Sequence, residues 1–125
     1  MIYLEYELAK KRYNDAVDAQ NRIMRRLETE TDVRTKKWWK MFSETLVSII
    51  ERREKNLLEY KKELGNLDEH GRDPDDKIYY FYFIKNSSVT RTAQNVYLSE
   101  SAVYKRLKII KENIETIKKE KEEPF

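Results

Sequence analysis

The sequence predicts an all-α protein with an N-terminal long helical hairpin, followed by a C-terminal helix-turn-helix domain with an extended last helix. Charged residues make up 39% of the 125 residues, with only two Gly and two Pro, whereas sheets need turn residues at short intervals. Apolar residues recur at steps of three and four, which is the spacing of one helix face. Residues 87–110 have the order of side chains that a helix-turn-helix requires.

The first two helices are predicted from this spacing. One stripe extends over about 28 residues, or roughly 40 Å of helix, and consists of Ile2, Tyr6, Ala9, Tyr13, Ala16, Gln20, Ile23 and Leu27. Residues 29–34 break the pattern. A second stripe follows with Trp39, Phe42, Leu46, Ile49, Ile50, Arg53, Leu57, Tyr60 and Leu64, and Gly65 is placed to end that helix in the left-handed conformation. The two stripes are expected to pack together as an antiparallel hairpin over residues 1–64.

A turn-rich stretch, residues 65–74, is predicted to link the hairpin to a domain of residues 75–125. A new helix to about Lys85 is predicted because the stretch ends with an N-cap, a first-turn proline and acidic residues, namely Asp73, Pro74, Asp75 and Asp76. The strand-forming residues of IYYFYFI leave a strand as the alternative. Capping explains the three aspartates better than a metal site does.

The helix-turn-helix is predicted from a small residue at the helix crossing, a turn, an N-cap and an apolar anchor. These are Ala93, Val96-Tyr97-Leu98, Ser99 and Val103. The last helix then has a core stripe of Val103, Leu107, Ile110, Ile114 and Ile117, and an outward set of Glu100, Ser101, Tyr104, Lys105 and Lys108. An ordinary helical hairpin with a capped second helix is the alternative.

Charge favours DNA as the ligand of this segment. Residues 85–111 contain six basic side chains and one acidic, whereas residues 65–84 contain two basic and five acidic. A local basic excess is typical of a surface that faces phosphates. The predicted DNA-binding residues are Ser87, Ser88, Thr90, Arg91, Ser99, Glu100, Ser101, Tyr104, Lys105 and Lys108.

Two positions depart from the usual motif. Tyr97 stands where the chain prefers a positive φ and Gly is common, so the turn is expected to be built differently or to be strained. Arg106 stands where an apolar residue is expected, and Leu107 takes over one position later. This leaves the rotation of the helix open.

Side chains outside this segment indicate contacts rather than chemistry. Trp38 and Trp39 are adjacent and cannot both face one helix, so one is expected in the core and the other at a partner. The candidate oligomer or partner contacts are Tyr6, Tyr13, Trp38 and Trp39. The aromatic run from Tyr79 to Phe83 is expected to be core rather than a base-stacking platform. Arg53 is expected to snorkel or to set the register of its stripe rather than to bind a ligand.

No catalytic pattern, metal site or cofactor site is predicted. The chain has no Cys and one His, His70, which is expected at the surface, and it has no Gly-rich phosphate loop. The N-terminus does not have the pattern of a signal peptide, and the longest apolar run is too short to span a bilayer. We therefore expect a soluble intracellular non-enzyme without membrane contact.

The sequence from Asp73 to Ile110 resembles region 4 of bacterial sigma factors, and more closely the phage-encoded transcriptional activators of the RinA and ArpU type. The similar parts are the aromatic first helix, the short helix ending at Asn95, the turn closed by Leu98 and Ser99, and the basic helix with Ala102 and Val103 in its first turn. The resemblance covers about forty residues. It implies a phage or prophage protein that acts at promoters with host RNA polymerase, with Ser99, Glu100, Ser101, Tyr104 and Lys105 as the DNA contacts.

The sequence thus predicts a sequence-specific regulator that binds double-stranded DNA as a homodimer, with the hairpin as oligomerisation or partner-binding arm. A DNA-packaging adaptor is the alternative within DNA binding. The alternative of another class is a protein-interaction module without direct DNA reading, such as a coiled-coil adaptor or a mimic of sigma region 4.

Overall fold

A computed structural model describes residues 1–66 and 73–120, and in these ranges the chain is helical and contains no strand. The predicted all-α class is therefore confirmed. The helices are α1 (Ile2–Thr29), α2 (Val33–Gly65), α3 (Pro74–Tyr79), α4 (Val89–Val96) and α5 (Glu100–Lys119), with a π-helical segment (Tyr80–Ile84) directly after α3. Most of the predicted linker, including His70, and the last five residues lie outside the described ranges.

The first helix has the length that its apolar spacing predicts, but its buried surface is wider than the predicted stripe. Ala16 and Ile23 of the stripe are buried, and so are Tyr3, Glu7 and Ala19, which the stripe omits. Ala19 packs between α1 and α2, whereas Tyr3 and Glu7 are buried because the N-terminal part of α1 also contacts α3 and α5. A helix between two partners buries more than one stripe of residues.

Polar contacts fix the register of α1 against α2. Gln20 Nε2 donates to Ser43 Oγ at 2.7 Å, and Arg53 Nη1 donates to the backbone oxygen of Arg12 at 2.8 Å. The separation along the chain grows from 23 to 41 residues between these pairs, so the two helices run antiparallel. The contact of Arg53 agrees with its predicted role in setting the register.

The predicted left-handed end of α2 at Gly65 is wrong. Gly65 is the last helical residue and has no positive φ. Asn66 follows with φ −85° and ψ 75°, and its backbone N–H donates to the carbonyl of Glu63. A free carbonyl of the last turn is satisfied in this way, so no left-handed residue is needed.

The segment after the linker is a helix, and the strand alternative is wrong. Asp73 Oδ1 accepts a hydrogen bond of 2.8 Å from the backbone N–H of Asp75, and Pro74 occupies the first turn, as predicted. The hydrogen-bond pattern widens after Tyr79, and the N–H of Lys85 donates to the carbonyl of Tyr80 at 3.0 Å. The expected helix to about Lys85 is thus half α-helical and half π-helical.

The larger core of the described residues joins both ends of the chain. Its buried members are Tyr3, Leu64, Ile78, Tyr79, Ala93, Val103, Leu107, Ile110 and Ile114. Tyr3 comes from α1 and Leu64 from α2, whereas the others come from the segment after residue 73. A smaller cluster of Ala19, Ile23 and Leu46 lies between α1 and α2. The helices after the linker therefore rest on the first two helices.

Candidate nucleic-acid interface

The turn between α4 and α5 is closed by backbone hydrogen bonds and a serine cap. Ala93 at the crossing is 4% exposed, and its carbonyl accepts from the N–H of Leu98 at 3.1 Å. Ser99 Oγ accepts from the N–H of Ala102 at 3.2 Å and so caps α5. Tyr97 adopts φ 58° and ψ 41°, the left-handed conformation, although it is not glycine. The turn thus has its usual geometry and carries the strain that Gly would avoid.

The two sides of α5 differ as its spacing predicts. Val103 is fully buried and Leu107 is 3% exposed. The side chains of Ser99, Glu100, Ser101, Tyr104, Lys105 and Lys108 are exposed. Leu107 therefore occupies the core position, although Arg106 stands where the usual motif has an apolar residue.

The predicted residues at the start of α4 lie on the surface or close to it. Ser88, Thr90 and Arg91 are exposed and Ser87 is half-buried. Ser88 Oγ accepts from the backbone N–H of Arg91 at 3.1 Å. A serine hydroxyl that accepts in a cap keeps its own proton for donation, so both cap serines, Ser88 and Ser99, can still donate to a phosphate oxygen.

Basic side chains surround this surface, but one of the six predicted does not belong to it. Arg106 Nη1 lies 3.0 Å from Oδ1 of Asp75, with its side chain 41% exposed. Arg106 thus pairs with α3, and its charge is compensated within the chain. The other basic side chains between residues 85 and 111 are exposed, namely Lys85, Arg91, Lys105, Lys108 and Lys111. Glu100 is the one acidic residue in the same stretch.

The three aspartates at the start of α3 have different partners. Only Asp73 caps its own helix, so the prediction that capping explains all three is wrong for Asp75 and Asp76. Asp75 pairs with Arg106. Asp76 is 3% exposed, and its carboxylate accepts from the backbone N–H groups of Tyr3 at 2.8 Å and Ile2 at 3.2 Å. Asp76 therefore caps the N-terminus of α1, where a negative charge also complements the helix dipole. A carboxylate 73 residues away cannot be recognised as a cap from local spacing.

A buried pair joins α1 to α3 beneath the interface. The hydroxyl of Tyr79 donates to the carboxylate of Glu7, and both side chains are buried. Burial, followed by this hydrogen bond, raises the pKa of Tyr79 above its ordinary value. The sequence analysis did not predict that Glu7 is buried, because an acidic residue outside the apolar stripe of a helix is expected on its surface.

The N-terminal turn of α1 also contacts the far end of α5. Asn113 Nδ2 donates to the hydroxyl oxygen of Tyr3 at 2.9 Å, and the Tyr3 ring stacks on Tyr79 at 5.4 Å between centroids. Burial raises the pKa of Tyr3, although the hydrogen bond from Asn113 opposes that shift. Tyr3, Tyr79 and Asp76 are thus positioning residues for the helix that carries the candidate contacts.

The aromatic run is core at its start and partly exposed afterwards. Tyr79 is 2% exposed, whereas the next four aromatic residues, Tyr80, Phe81, Tyr82 and Phe83, are half-buried. Lys85 lies 5.6 Å from the ring centroid of Tyr80, and Lys111 lies 5.4 Å from that of Tyr82. The rings of Tyr80 and Tyr82 therefore contact lysines of the candidate interface. The prediction that the aromatic run lies in the core did not include these contacts.

The four predicted oligomer or partner contacts do not form one surface. Tyr6 is half-buried with its ring edge toward Tyr79 at 6.0 Å, and Tyr13 is half-buried on α1. Trp39 packs half-buried against the cluster of Ala19, Ile23 and Leu46, whereas Trp38 is 56% exposed. One tryptophan thus belongs to the core and the other to the surface, as predicted.

Comparison with protein-family models, curated proteins and solved structures finds no match. Within residues 1–66 and 73–120, no helix has an apolar stretch long enough to cross a membrane. The same ranges contain no group of three or more His, Cys, Asp or Glu side chains that could hold a metal ion.

Proposed function

We propose that this chain is a sequence-specific DNA-binding transcriptional regulator in which α4, the turn at Tyr97 and α5 form a helix-turn-helix, carried by the helical hairpin of α1 and α2. The observation that carries the proposal is the orientation of α5. Its apolar stripe is buried, while Ser101, Tyr104, Lys105 and Lys108 are exposed along one side. A helix of this kind presents hydrogen-bonding side chains to base edges while its other face is held by the core.

The exposed side chains divide into two roles. Lys85, Arg91 and Lys111 are placed to contact phosphates, which position a protein on the duplex without reading sequence. Ser101, Tyr104 and Lys105 lie in the first turns of α5, where a recognition helix reaches base edges. Glu100 can accept from the amino group of cytosine, so one acidic residue in this basic stretch fits base reading.

The resemblance supports the finer parts of the proposal. The chain would act at promoters with host RNA polymerase in the cytoplasm of a bacterial cell, as a phage or prophage protein. A homodimer would hold two reading helices at the spacing of two half-sites. The stripe of α1 packs on α2 of the same chain, so a dimer would have to use another surface.

Selection of bound fragments from random double-stranded DNA tests the proposal, followed by anisotropy titrations of the enriched site. A single enriched motif that loses affinity in Lys105→Ala supports sequence-specific reading. If three to five phosphates are contacted, log K against log salt should have a slope of about −3 to −5. No enrichment, or a slope near zero, would favour a protein-interaction module without DNA reading.

A further inference from the structure

A second charged surface lies at the opposite end of the α1–α2 pair from Tyr3. It is formed by residues 22–41, the end of α1, the connection and the start of α2, and we call it the basic end. It contains seven basic residues and three acidic ones. All seven basic side chains are exposed, and they are Arg22, Arg25, Arg26, Arg34, Lys36, Lys37 and Lys40.

An exposed apolar strip lies within this charge. Trp38 is 56% exposed and Met41 is 61% exposed. Their spacing of three places them side by side on α2, with exposed Arg34 one turn before Trp38 and exposed Thr45 one turn after Met41. Such a row at steps of four, three and four has the pitch that a second helix packs against.

The tryptophan is held in place by its neighbours. Its ring stacks on Phe42 at 5.6 Å with an angle of 2° between planes, and Trp39 meets it edge-on at 4.7 Å. Arg26 lies 5.3 Å from the ring centroid of Trp39. A rigid aromatic ring loses little conformational entropy on binding, and Trp, Met and Arg are enriched at protein interfaces.

Charge identifies the kind of occupant. Two copies of the basic end facing each other would bring like charges together, so self-association through this face is disfavoured. The three acidic residues of the same range, Glu28, Glu30 and Asp32, do not offset this, because seven basic residues against three acidic ones leave a net charge of +4. A partner that complements the surface carries apolar residues at helical spacing beside acidic ones.

The geometry points to the basic end as a docking site for an acidic amphipathic helix of another protein, with Trp38 and Met41 as the apolar anchors and Arg34 as a charged neighbour. This inference does not depend on DNA binding by α5. It assigns the protein a protein-binding surface in addition to the DNA-reading surface. Oligonucleotides also carry negative charge, but Met41 and the row at helical spacing favour a peptide helix over a base stack.

The test is panning of a random 16-residue phage-displayed peptide library on the full chain in low salt. Peptides selected by the native chain should carry net negative charge with aromatic or aliphatic residues at steps of three and four. Each should bind Trp38→Ala and Met41→Ala at least ten-fold more weakly than the native chain. Leu58→Ala removes a side chain with similar exposure, 58%, outside the basic end and should leave peptide binding unchanged.

Arg34→Glu gives a second readout that does not depend on removing an aromatic ring. Acidic peptides should lose affinity for it, and the same peptides with Glu replaced by Lys should gain affinity. Selected peptides without net negative charge, or binding that is unchanged in all three variants, would overturn the inference. So would binding of oligo(dT) that Trp38→Ala and Met41→Ala weaken as much as they weaken peptide binding, or concentration-dependent self-association that Trp38→Ala abolishes. These variants lie outside the candidate DNA interface and should bind DNA as the native chain does. A failure of peptide docking can therefore be distinguished from a failure of the proposed DNA binding.

Discussion

The backbone N–H of Tyr3 donates a 2.8 Å hydrogen bond to the carboxylate of Asp76. This contact crosses from the first turn of α1 to the first turn of α3. It makes the start of the chain part of the support for α5, because Tyr3 also accepts from Asn113 on that helix.

Removal of this contact should cost stability. Asp76→Ala leaves two backbone N–H groups at the N-terminus of α1 without their acceptor, so the free energy of unfolding should fall by about 1–3 kcal/mol. Asp76→Asn keeps one acceptor oxygen and should fall between this variant and the native protein. Urea denaturation measures both, with exposed Asp18→Ala as the control. An unchanged midpoint for Asp76→Ala would contradict the capping role.

Substitutions on the exposed side of α5 should affect DNA binding, and substitutions on its buried side should affect stability. Lys105→Ala should weaken binding to the selected site by about 1–3 kcal/mol and leave the melting temperature nearly unchanged. Leu107→Ala should leave a cavity and lower the free energy of unfolding by about 2–5 kcal/mol. Anisotropy titrations and thermal melts of the two variants check this pair. A melt lowered by Lys105→Ala and not by Leu107→Ala would mean that α5 is rotated.

Arg106 should behave as a structural residue rather than a DNA contact. Arg106 is partly exposed, so its coupling with Asp75 in a double-mutant cycle should be only about 0.2–1 kcal/mol of stability. Arg106→Ala should weaken DNA binding less than Lys105→Ala does, because its charge is already compensated. A loss of DNA affinity equal to that of Lys105→Ala would place Arg106 in the interface.

Replacement of Tyr97 by glycine should raise the stability of the fold and weaken DNA binding. Tyr97 is 92% exposed and adopts a positive φ, so its ring contributes little packing while its backbone is strained. Tyr97→Gly should raise the free energy of unfolding by about 1 kcal/mol, and it should weaken DNA binding if the ring contacts the duplex beside Ser99. Tyr97→Ala removes the ring but keeps a Cβ, so it should lose the binding without the gain in stability. Equal DNA affinity in all three proteins would exclude this contact.

Alkaline pH should destabilise the fold through Tyr79. Its pKa is raised in the folded state by burial and by Glu7, while an unfolded tyrosine titrates at about 10. The stabilising difference is therefore complete below about pH 10 and is lost above it, at up to about 1.4 kcal/mol per pH unit for one proton. Tyr79→Phe should show a shallower decline between pH 10 and 11, measured by urea denaturation.

At neutral pH the same variant should be less stable by about 1–3 kcal/mol, because the buried carboxylate of Glu7 loses its donor. Glu7→Gln can still accept from Tyr79 and serves as the matched control. If the slopes of the native protein and Tyr79→Phe agree above pH 10, the alkaline loss has another origin.

Periodicity predicted what depends on neighbours along one helix. The length of α1, the cap of α3 and the buried and exposed sides of α5 follow from spacing and from N-cap residues. Tyr97 was identified as the strained position because handedness restricts every residue with a side chain at a positive φ. Glycine at a helix end was a weaker guide, since α2 closes its last turn through Asn66.

Contacts between distant segments could not be predicted from local patterns. Asp76 looks like a cap for its own helix and caps α1 instead, and Arg106 looks like part of a basic surface and pairs with Asp75. The π-helical segment escaped prediction for a related reason, since aromatic content indicates burial and not the spacing of hydrogen bonds. The division into domains at residues 65–74 remains a prediction.

The core that includes Tyr3 and Leu64 decides how α4 and α5 can be used outside their own chain. A chimaera that takes only residues 75–125 would leave behind two buried core residues, Leu64 and Tyr3, of which Tyr3 stacks on Tyr79. Grafting these helices onto another scaffold would therefore transplant an incomplete core. A graft that keeps the whole core also needs the first turns of α1 and the end of α2. The rest of these two helices connects those segments, so the transferable unit is most of the molecule.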